Sequence, residues 1–166
     1  MDVESLLELR IRNRDFLRPY EPVVPDSHFT LQAQREVIER GVHQWENGEG
    51  YAFGIFLAET DQLIGRVHLS NAVRRAWQNC TIGYFMDQEQ NGRGLMSEAV
   101  RLAVQFAFQE AGLHRIEAAV MPGNTGSIRV LEKAGFQYIG LSRYHLRIHG
   151  VWEDHKLYAI TRGCGK

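Results

Sequence analysis

Two glycines that run directly into an apolar-periodic segment constrain this chain more than any other feature. Residues 91 to 99 read Asn-Gly-Arg-Gly-Leu-Met-Ser-Glu-Ala, with Gly92 and Gly94 as the glycines. Glycine lets the backbone turn sharply and present consecutive N–H groups. The helix predicted behind them, about residues 94–111, adds unpaired first-turn donors and the positive end of its dipole. The segment therefore predicts a loop and helix start that can bind a diphosphate.

Length and composition limit the class of protein. The 166 residues, 44% hydrophobic and 23% charged, are typical of one globular domain over residues 1–166. A formal net charge of -1 gives no basic excess, so we expect no direct nucleic-acid partner. No apolar run approaches the ~18 residues of a membrane span, and the first residues lack a basic stretch, so we expect a cytoplasmic protein. Cys80 and Cys164 form no metal spacing and no disulfide framework.

The first half of the chain predicts two helices and an antiparallel meander. Helical spacing covers residues 3–17, and Pro19 and Pro22 end that helix. Thr30 can cap a second helix to about Glu46. Its expected buried positions are Leu31, Val37, Ile38, Val42 and Trp45. The three strand-like runs that follow cover residues 51–58, 63–69 and 80–86.

The second half alternates helices and strands. The helix at 94–111 has a narrow polar stripe and apolar residues around the rest, so we expect it to pack deeply. The stripe consists of Ser97, Glu98, Arg101, Gln105 and Gln109. The elements predicted after it are a strand at 116–121, a helix at 125–134 and a strand pair at 136–147 and 151–161.

Three phosphate-binding interpretations compete for the glycine segment. A Walker loop requires Gly-Lys-Ser/Thr, and the chain contains no such tripeptide. A Rossmann fingerprint requires a third glycine or alanine where Ser97 stands, and an antiparallel meander upstream contradicts a parallel dinucleotide fold. The remaining interpretation is a loop that receives the pyrophosphate of coenzyme A after an antiparallel strand.

The segments 91–96 and 122–136 resemble the GNAT superfamily of acyl-CoA N-acyltransferases. Residues 91–96 match its pyrophosphate-binding motif. A second motif of the family is matched by Pro122-x-Asn124-x-x-Ser127 together with Gly135-Phe136. The resemblance implies an α/β (α+β) fold with a mixed, mostly antiparallel sheet flanked by helices. It also implies acetyl-CoA as the co-substrate.

The resemblance narrows to the RimJ/RimL type of ribosomal-protein N-terminal acetyltransferase. It is carried by residues 13–22, Ile64-Gly65, Leu69 to Asn71, and His149-Gly150-x-Trp152-x-Asp154. That family begins with a strand before its first helix, whereas Met1 is here followed almost at once by the helix. We therefore expect the sheet's first edge strand to be missing or shortened. An unpaired edge favours association, and a homodimer is one way to cover it.

The resemblance also implies roles for individual residues. The implied cofactor-binding residues are Tyr84, Phe85, Met86, Asn91, Gly92, Arg93, Gly94, Leu95, Met96, Ser97, Asn124 and Ser127. Ser127 is also expected to hydrogen-bond the departing thiolate. Glu21, Ser70 and Asn71 would line the acceptor side.

Two further residues are candidates for proton transfer. Glu117 follows the central helix and could take the amine proton directly or through water, and a surface salt bridge is the alternative interpretation. Tyr144 is a candidate acid, and a packing role on a half-buried strand stays open for it. His145 and His149 share a strand face with His155 across the hairpin, but no carboxylate or cysteine completes the set, so we expect no metal.

The sequence thus favours acetyl transfer to the α-amine of a protein N-terminus, with a ribosomal protein as the expected acceptor. A small amine, an amino acid or an antibiotic is the alternative acceptor. A non-catalytic acyl-CoA-binding regulator is the alternative outside enzymes.

Overall fold

The computed structural model of the chain describes residues 1–163. Its helices are α1 (Val3–Arg12), α2 (Arg14–Leu17), α3 (Leu31–Glu46), α4 (Leu95–Gln109) and α5 (Thr125–Lys133). Its strands are β1 (Tyr51–Phe56), β2 (Leu63–Val73), β3 (Asn79–Met86), β4 (Arg115–Val120), β5 (Gln137–Ile148) and β6 (Val151–Thr161). Apart from the helix predicted over residues 3–17, each predicted element is found within a few residues of its expected bounds. Cys164, for which the sequence predicts no metal or disulfide role, lies outside the described residues.

The strands form one mixed sheet with the order β1-β2-β3-β4-β6-β5. Strands β1, β2 and β3 pair antiparallel in sequence order, which confirms the predicted meander. The β3–β4 pair is parallel, and β4 and β5 each pair antiparallel with β6. Within residues 1–163, β1 is an edge strand and no strand precedes α1, as expected from the helical pattern that begins close to Met1.

Helix α4 packs one face of this sheet, as its narrow polar stripe predicted. It buries Val100, Ala103 and Ala107 in the main core, together with Val67 and Leu69 of β2. Ser97, assigned to the polar stripe from the sequence, is instead buried. Helix α1 packs the opposite face, where Leu6 and Leu9 form a second cluster with partly buried Phe85. No helix within residues 1–163 combines the length and apolar character needed to cross a membrane.

The helix predicted over residues 3–17 is interrupted at Asn13. The buried Asn13 side chain donates to the Leu9 carbonyl at 3.0 Å and accepts from the Gln88 N–H at 2.9 Å. Asparagine competes in this way for backbone groups, so α1 ends there and the shorter α2 begins. Asn13 thereby fixes the start of the segment 13–29 to the end of β3.

The burial predicted for α3 was largely wrong. Leu31, Val42 and Trp45 are 43%, 54% and 40% exposed, whereas Val37 and Ile38 do pack on the second cluster. The fully buried position is Gln34, whose amide donates to the His28 carbonyl at 2.8 Å. Helix α3 is thus held partly by a polar contact to the loop before it. Because of this contact, fewer apolar residues of α3 need to be buried.

Candidate active site

An opening between β3 and β4 is the central feature of the site. These parallel strands pair only from Asn79↔Arg115 to Thr81↔Glu117, although β3 continues to Met86 and β4 to Val120. Beyond Thr81, β3 keeps its pairing with β2 on its other side. The backbone groups that face the opening have no ladder partner within residues 1–163, and an extended ligand can take their place.

The glycine loop stands at the wide end of this opening. Gly92 and Gly94 have φ of +81° and +74°, and an added Cβ would meet no atom within 4 Å at either position. The glycines are therefore needed for their backbone conformation and not for space. Gly94 caps α4 without a side-chain bond, and within residues 1–163 the N–H groups of residues 95–97 have no acceptor. These donors fit a diphosphate.

A cleft of about 510 Å³ joins the opening to the loop. Eleven of the predicted cofactor-binding residues line it: Tyr84, Phe85, Met86, Asn91, Gly92, Gly94, Leu95, Met96, Ser97, Asn124 and Ser127. Tyr84 belongs to the α4 face of the sheet, whereas Phe85 packs with α1 on the other face. The cleft therefore passes through the sheet from one face to the other.

Arg93 is the exception among the predicted cofactor residues. It lines a second groove of about 410 Å³ between β1 and α4, and its guanidinium donates to the Gln90 amide oxygen at 2.6 Å. Its side chain thus belongs to the outer side of the loop.

A hydrogen-bonded pair of hydroxyls lies in the cleft. The Tyr84 hydroxyl is 2.7 Å from Ser127 Oγ, and Asn124 Oδ1 accepts from the Ser127 N–H at 3.3 Å, capping α5. Burial raises the pKa of Tyr84 to about 12, against a smaller opposite effect of the Ser127 bond. Sequence reasoning assigned Tyr84 only a backbone role, because 43 residues separate it from Ser127 and no local pattern links them.

The predicted proton-transfer residues lie outside the cleft lining. Glu117 is in the last β3–β4 pair, at the narrow end of the opening, and its carboxylate accepts from Arg115 Nε at 2.9 Å. Its side chain is 38% exposed. Tyr144 lies on the β5–β6 hairpin, 71% exposed, and its N–H donates to Asp154 Oδ1 at 2.9 Å. The structure does not bring Tyr144 to the Tyr84–Ser127 pair, and its role as an acid stays a prediction.

The segment 13–29 forms the wall on the α1 side of the cleft. Phe16, Leu17 and Tyr20 line the cleft from this segment. Glu21, predicted to lie on the acceptor side, forms an ion pair with the buried Arg10 at 3.0 Å. The hairpin touches the same segment, because His149 Nε2 lies 2.6 Å from the Arg18 carbonyl oxygen.

Ser70 and Asn71, the other predicted acceptor residues, lie on β2 beyond this wall. Ser70 is half-buried and pairs with Thr81 at the narrow end of the opening. Asn71 is exposed in a left-handed conformation where the β2–β3 register shifts. Neither residue lines the cleft itself.

The histidines of the hairpin come together only in part. The rings of His145 and His155 are 5.5 Å apart. Among residues 1–163, no three His, Cys, Asp or Glu side chains are grouped closely enough to hold a metal ion.

Comparison with known proteins agrees with this geometry. The model of the Acetyltransferase (GNAT) domain matches residues 1–137. The chain is 50% identical over 159 residues to the Probable N-acetyltransferase YjcK of Bacillus subtilis (strain 168), covering 96% of this chain and 88% of that protein. It is 34% identical over 160 residues to the [Ribosomal protein uS5]-alanine N-acetyltransferase of Escherichia coli (strain K12), covering 96% and 82%.

A solved structure is similar throughout the fold. Mycobacterium smegmatis RimJ, solved in complex with CoA-disulfide, superposes with a TM-score of 0.91 at 28% identity, covering 96% of this chain and 77% of that one. The family match spans most of the chain, and the relatives carry N-acetyltransferase names. The chain therefore belongs to the GNAT family and is an N-acetyltransferase.

Proposed function

We propose that this N-acetyltransferase transfers acetyl from acetyl-CoA to the α-amine of a protein N-terminus, with a ribosomal protein as the acceptor. The observation that carries the proposal is the cleft that passes through the sheet. Free N–H groups of α4 stand at one end, and the segment 13–29 walls the far side. An extended chain end can approach from that far side while the cofactor occupies the other. The ribosomal-protein acetyltransferases among the relatives support the same acceptor.

The charges on the far side support a peptide over a polyamine. Arg10 and Arg66 lie there, and the Glu21 carboxylate beside them already pairs with Arg10. A polycationic acceptor would need an acidic surface to offset its own charge.

The α-amine sets a small deprotonation problem. With a pKa near 7.8, about one-seventh of such amines are neutral at pH 7, whereas a lysine amine near 10.4 is neutral at about 0.04%. At pH 7, reaching the neutral form therefore costs about 3.5 kcal/mol more for a lysine amine than for an α-amine. We assign the remaining proton to Glu117, at the narrow end of the opening on the sheet face opposite α4, directly or through a water molecule.

The Tyr84–Ser127 pair is assigned to the leaving group. Bound acetyl-CoA supplies the thioester whose sulfur leaves as thiolate. If Tyr84 donates to Ser127 Oγ, the serine hydrogen is free to point into the cleft and bond that sulfur. With a pKa of about 12, Tyr84 keeps its proton at neutral pH and serves to orient Ser127. The free backbone N–H groups of β3 are assigned to the thioester carbonyl oxygen.

The experiment is a thiol-release assay with acetyl-CoA and peptides that begin with Ala, Ser or Met, alongside polyamines and N-terminally blocked peptides. We expect release with free Ala and Ser peptides only. Ser127→Ala should lower kcat by about 10²-fold, the order seen when one transition-state donor is removed. Tyr84→Phe should have a smaller effect, and Tyr138→Phe on exposed β5 is the matched control. Release with a polyamine but with no peptide would refute the acceptor.

A further inference from the structure

Strand β2 carries a row of polar side chains without partners. Arg66, His68 and Ser70 alternate with the core residues Val67 and Leu69, so they stand on the sheet face opposite α4. All three are half-buried, and within residues 1–163 their side chains make no hydrogen bond. Buried polar groups are ordinarily paired, which makes this row unusual.

Arg66 is the extreme member of the row. Its Nε is buried without a partner, and burial together with the charge of Arg10 lowers its pKa. The other arginines that are at least half-buried each make at least one side-chain hydrogen bond, although the Nε of Arg10 is also buried without a partner. Arg10 pairs with Glu21, Arg74 donates to two carbonyls and the Tyr51 hydroxyl, and Arg115 pairs with Glu117. Of the half-buried arginines in the part of the chain that is described, Arg66 alone lacks a hydrogen bond.

Within residues 1–163, Arg66 forms no ion pair with a carboxylate. Arg12 and Arg14, on the neighbouring helices, take Asp87 and Asp26 as their partners, and Glu21 is held by Arg10. An unpaired charge that is partly withdrawn from water costs free energy, and a guanidinium is shaped for bidentate binding of a carboxylate. A carboxylate of a bound ligand would both neutralise the unpaired charge and match the geometry of the guanidinium.

Arg66 lies beside the cleft. It is the register partner of Phe85, which lines the cleft, and Arg10 lies 5.0 Å above the Phe85 ring. The unpaired guanidinium is thus next to the far side of the cleft, where an acceptor chain would arrive.

We infer that Arg66 selects acceptors by binding a carboxylate side chain close to the acceptor's N-terminus. The inference rests on the proposed function, since it requires a peptide acceptor. Thr81, paired with Glu117, and Phe85, paired with Arg66, are four residues apart along β3. That separation is about 13 Å at ~3.3 Å per residue, which an extended peptide spans with about four residues. The acidic residue is therefore expected at the third, fourth or fifth position.

The test uses eight-residue peptides that begin with Ala and carry Glu, Gln or Lys at position 3, 4 or 5. The kcat/KM of thiol release is measured for wild type, Arg66→Met, Arg66→Lys and Arg40→Met. Arg40 is an exposed arginine of α3 that forms no ion pair within residues 1–163, so its variant is the matched control. We expect wild type to favour Glu over Gln by about tenfold or more at one position, as for a charge-assisted hydrogen bond, through KM. Arg66→Met should abolish that preference, and Arg66→Lys should keep part of it.

Thermal unfolding separates recognition from structure. Removing an unpaired, half-buried charge should leave the Tm of Arg66→Met equal to or above that of wild type. Equal kcat/KM for Glu and Gln peptides in wild type would overturn the inference and leave the proposed function standing. A Glu preference that survives in Arg66→Met would overturn the assignment to Arg66. If wild type acetylates no peptide, both the inference and the proposed function fail.

Discussion

Replacing Gly94 by alanine should weaken acetyl-CoA binding far more than it weakens the fold. The residue has a φ of +74°, and a Cβ there would meet no atom within 4 Å. The cost in the free energy of unfolding is therefore that of the left-handed conformation alone, about 1–2 kcal/mol. For a chain of this length, that corresponds to a fall in Tm of about 2–8 °C.

The binding cost follows from the same strain. An alanine at 94 relaxes toward negative φ and turns the free N–H groups of residues 95–97 away from the cleft. Losing one hydrogen bond to a charged phosphate costs about 1.5–3 kcal/mol, which is at least tenfold in Kd. At a ligand concentration 100 times the wild-type Kd, acetyl-CoA stabilises wild type by about 2.7 kcal/mol and such a variant by about 1.4 kcal/mol.

Gly112 supplies the matched control. It has a φ of +69°, it also has open space around its missing Cβ, and it lies past the opposite end of α4 from the cleft. Gly112→Ala should lower Tm as Gly94→Ala does and yet keep the full ligand-induced Tm shift. The assays are thermal unfolding with and without acetyl-CoA and calorimetric titration. Equal Kd values for the two variants would refute the assignment of the loop to the cofactor.

Two further outcomes concern buried titratable groups. Burial, with a contribution from Arg66, lowers the pKa of His68 to about 4. Between pH 6.5 and 4 the unfolded state therefore binds more protons than the folded state. The free energy of unfolding should fall by up to about 3 kcal/mol as the pH falls through that window. His68→Gln should flatten the curve of Tm against pH in that window. An unchanged slope would contradict the assignment of this pH dependence to His68. Burial raises the pKa of Cys80 to about 12, so iodoacetamide at pH 8 should label it only after unfolding, as scored by peptide mapping. Labelling of the Cys80 peptide in the native protein would contradict its burial.

Elements marked by glycine, proline or a capping side chain were predictable from the sequence. Thr30 does cap α3 by accepting from the Ala33 N–H at 3.2 Å, and Gly135 does follow the end of α5. These signals act within a few residues, so a local pattern is sufficient to read them.

Features that depend on distant partners were not predictable. The break at Asn13 requires Gln88, 75 residues away, and the orientation of Ser127 requires Tyr84. The unpaired state of Arg66 was equally hidden. A sequence shows that a charge is present, but only the fold shows which carboxylates the other arginines have already taken.

The ion pairs within the segment 13–29 and at the end of α1 beside it differ in their exposure to water. The side chains of Arg14 and Asp26 are 45% and 92% exposed, whereas Asp87, the partner of Arg12, is 2% exposed. Dissolved salt screens exposed pairs strongly and buried pairs much less. Rising ionic strength should therefore speed amide hydrogen exchange around Asp26 while exchange around Asp87 and in β3 stays slow. The segment 13–29 would then change its mobility with salt concentration near Asp26 and stay rigid where it meets the sheet.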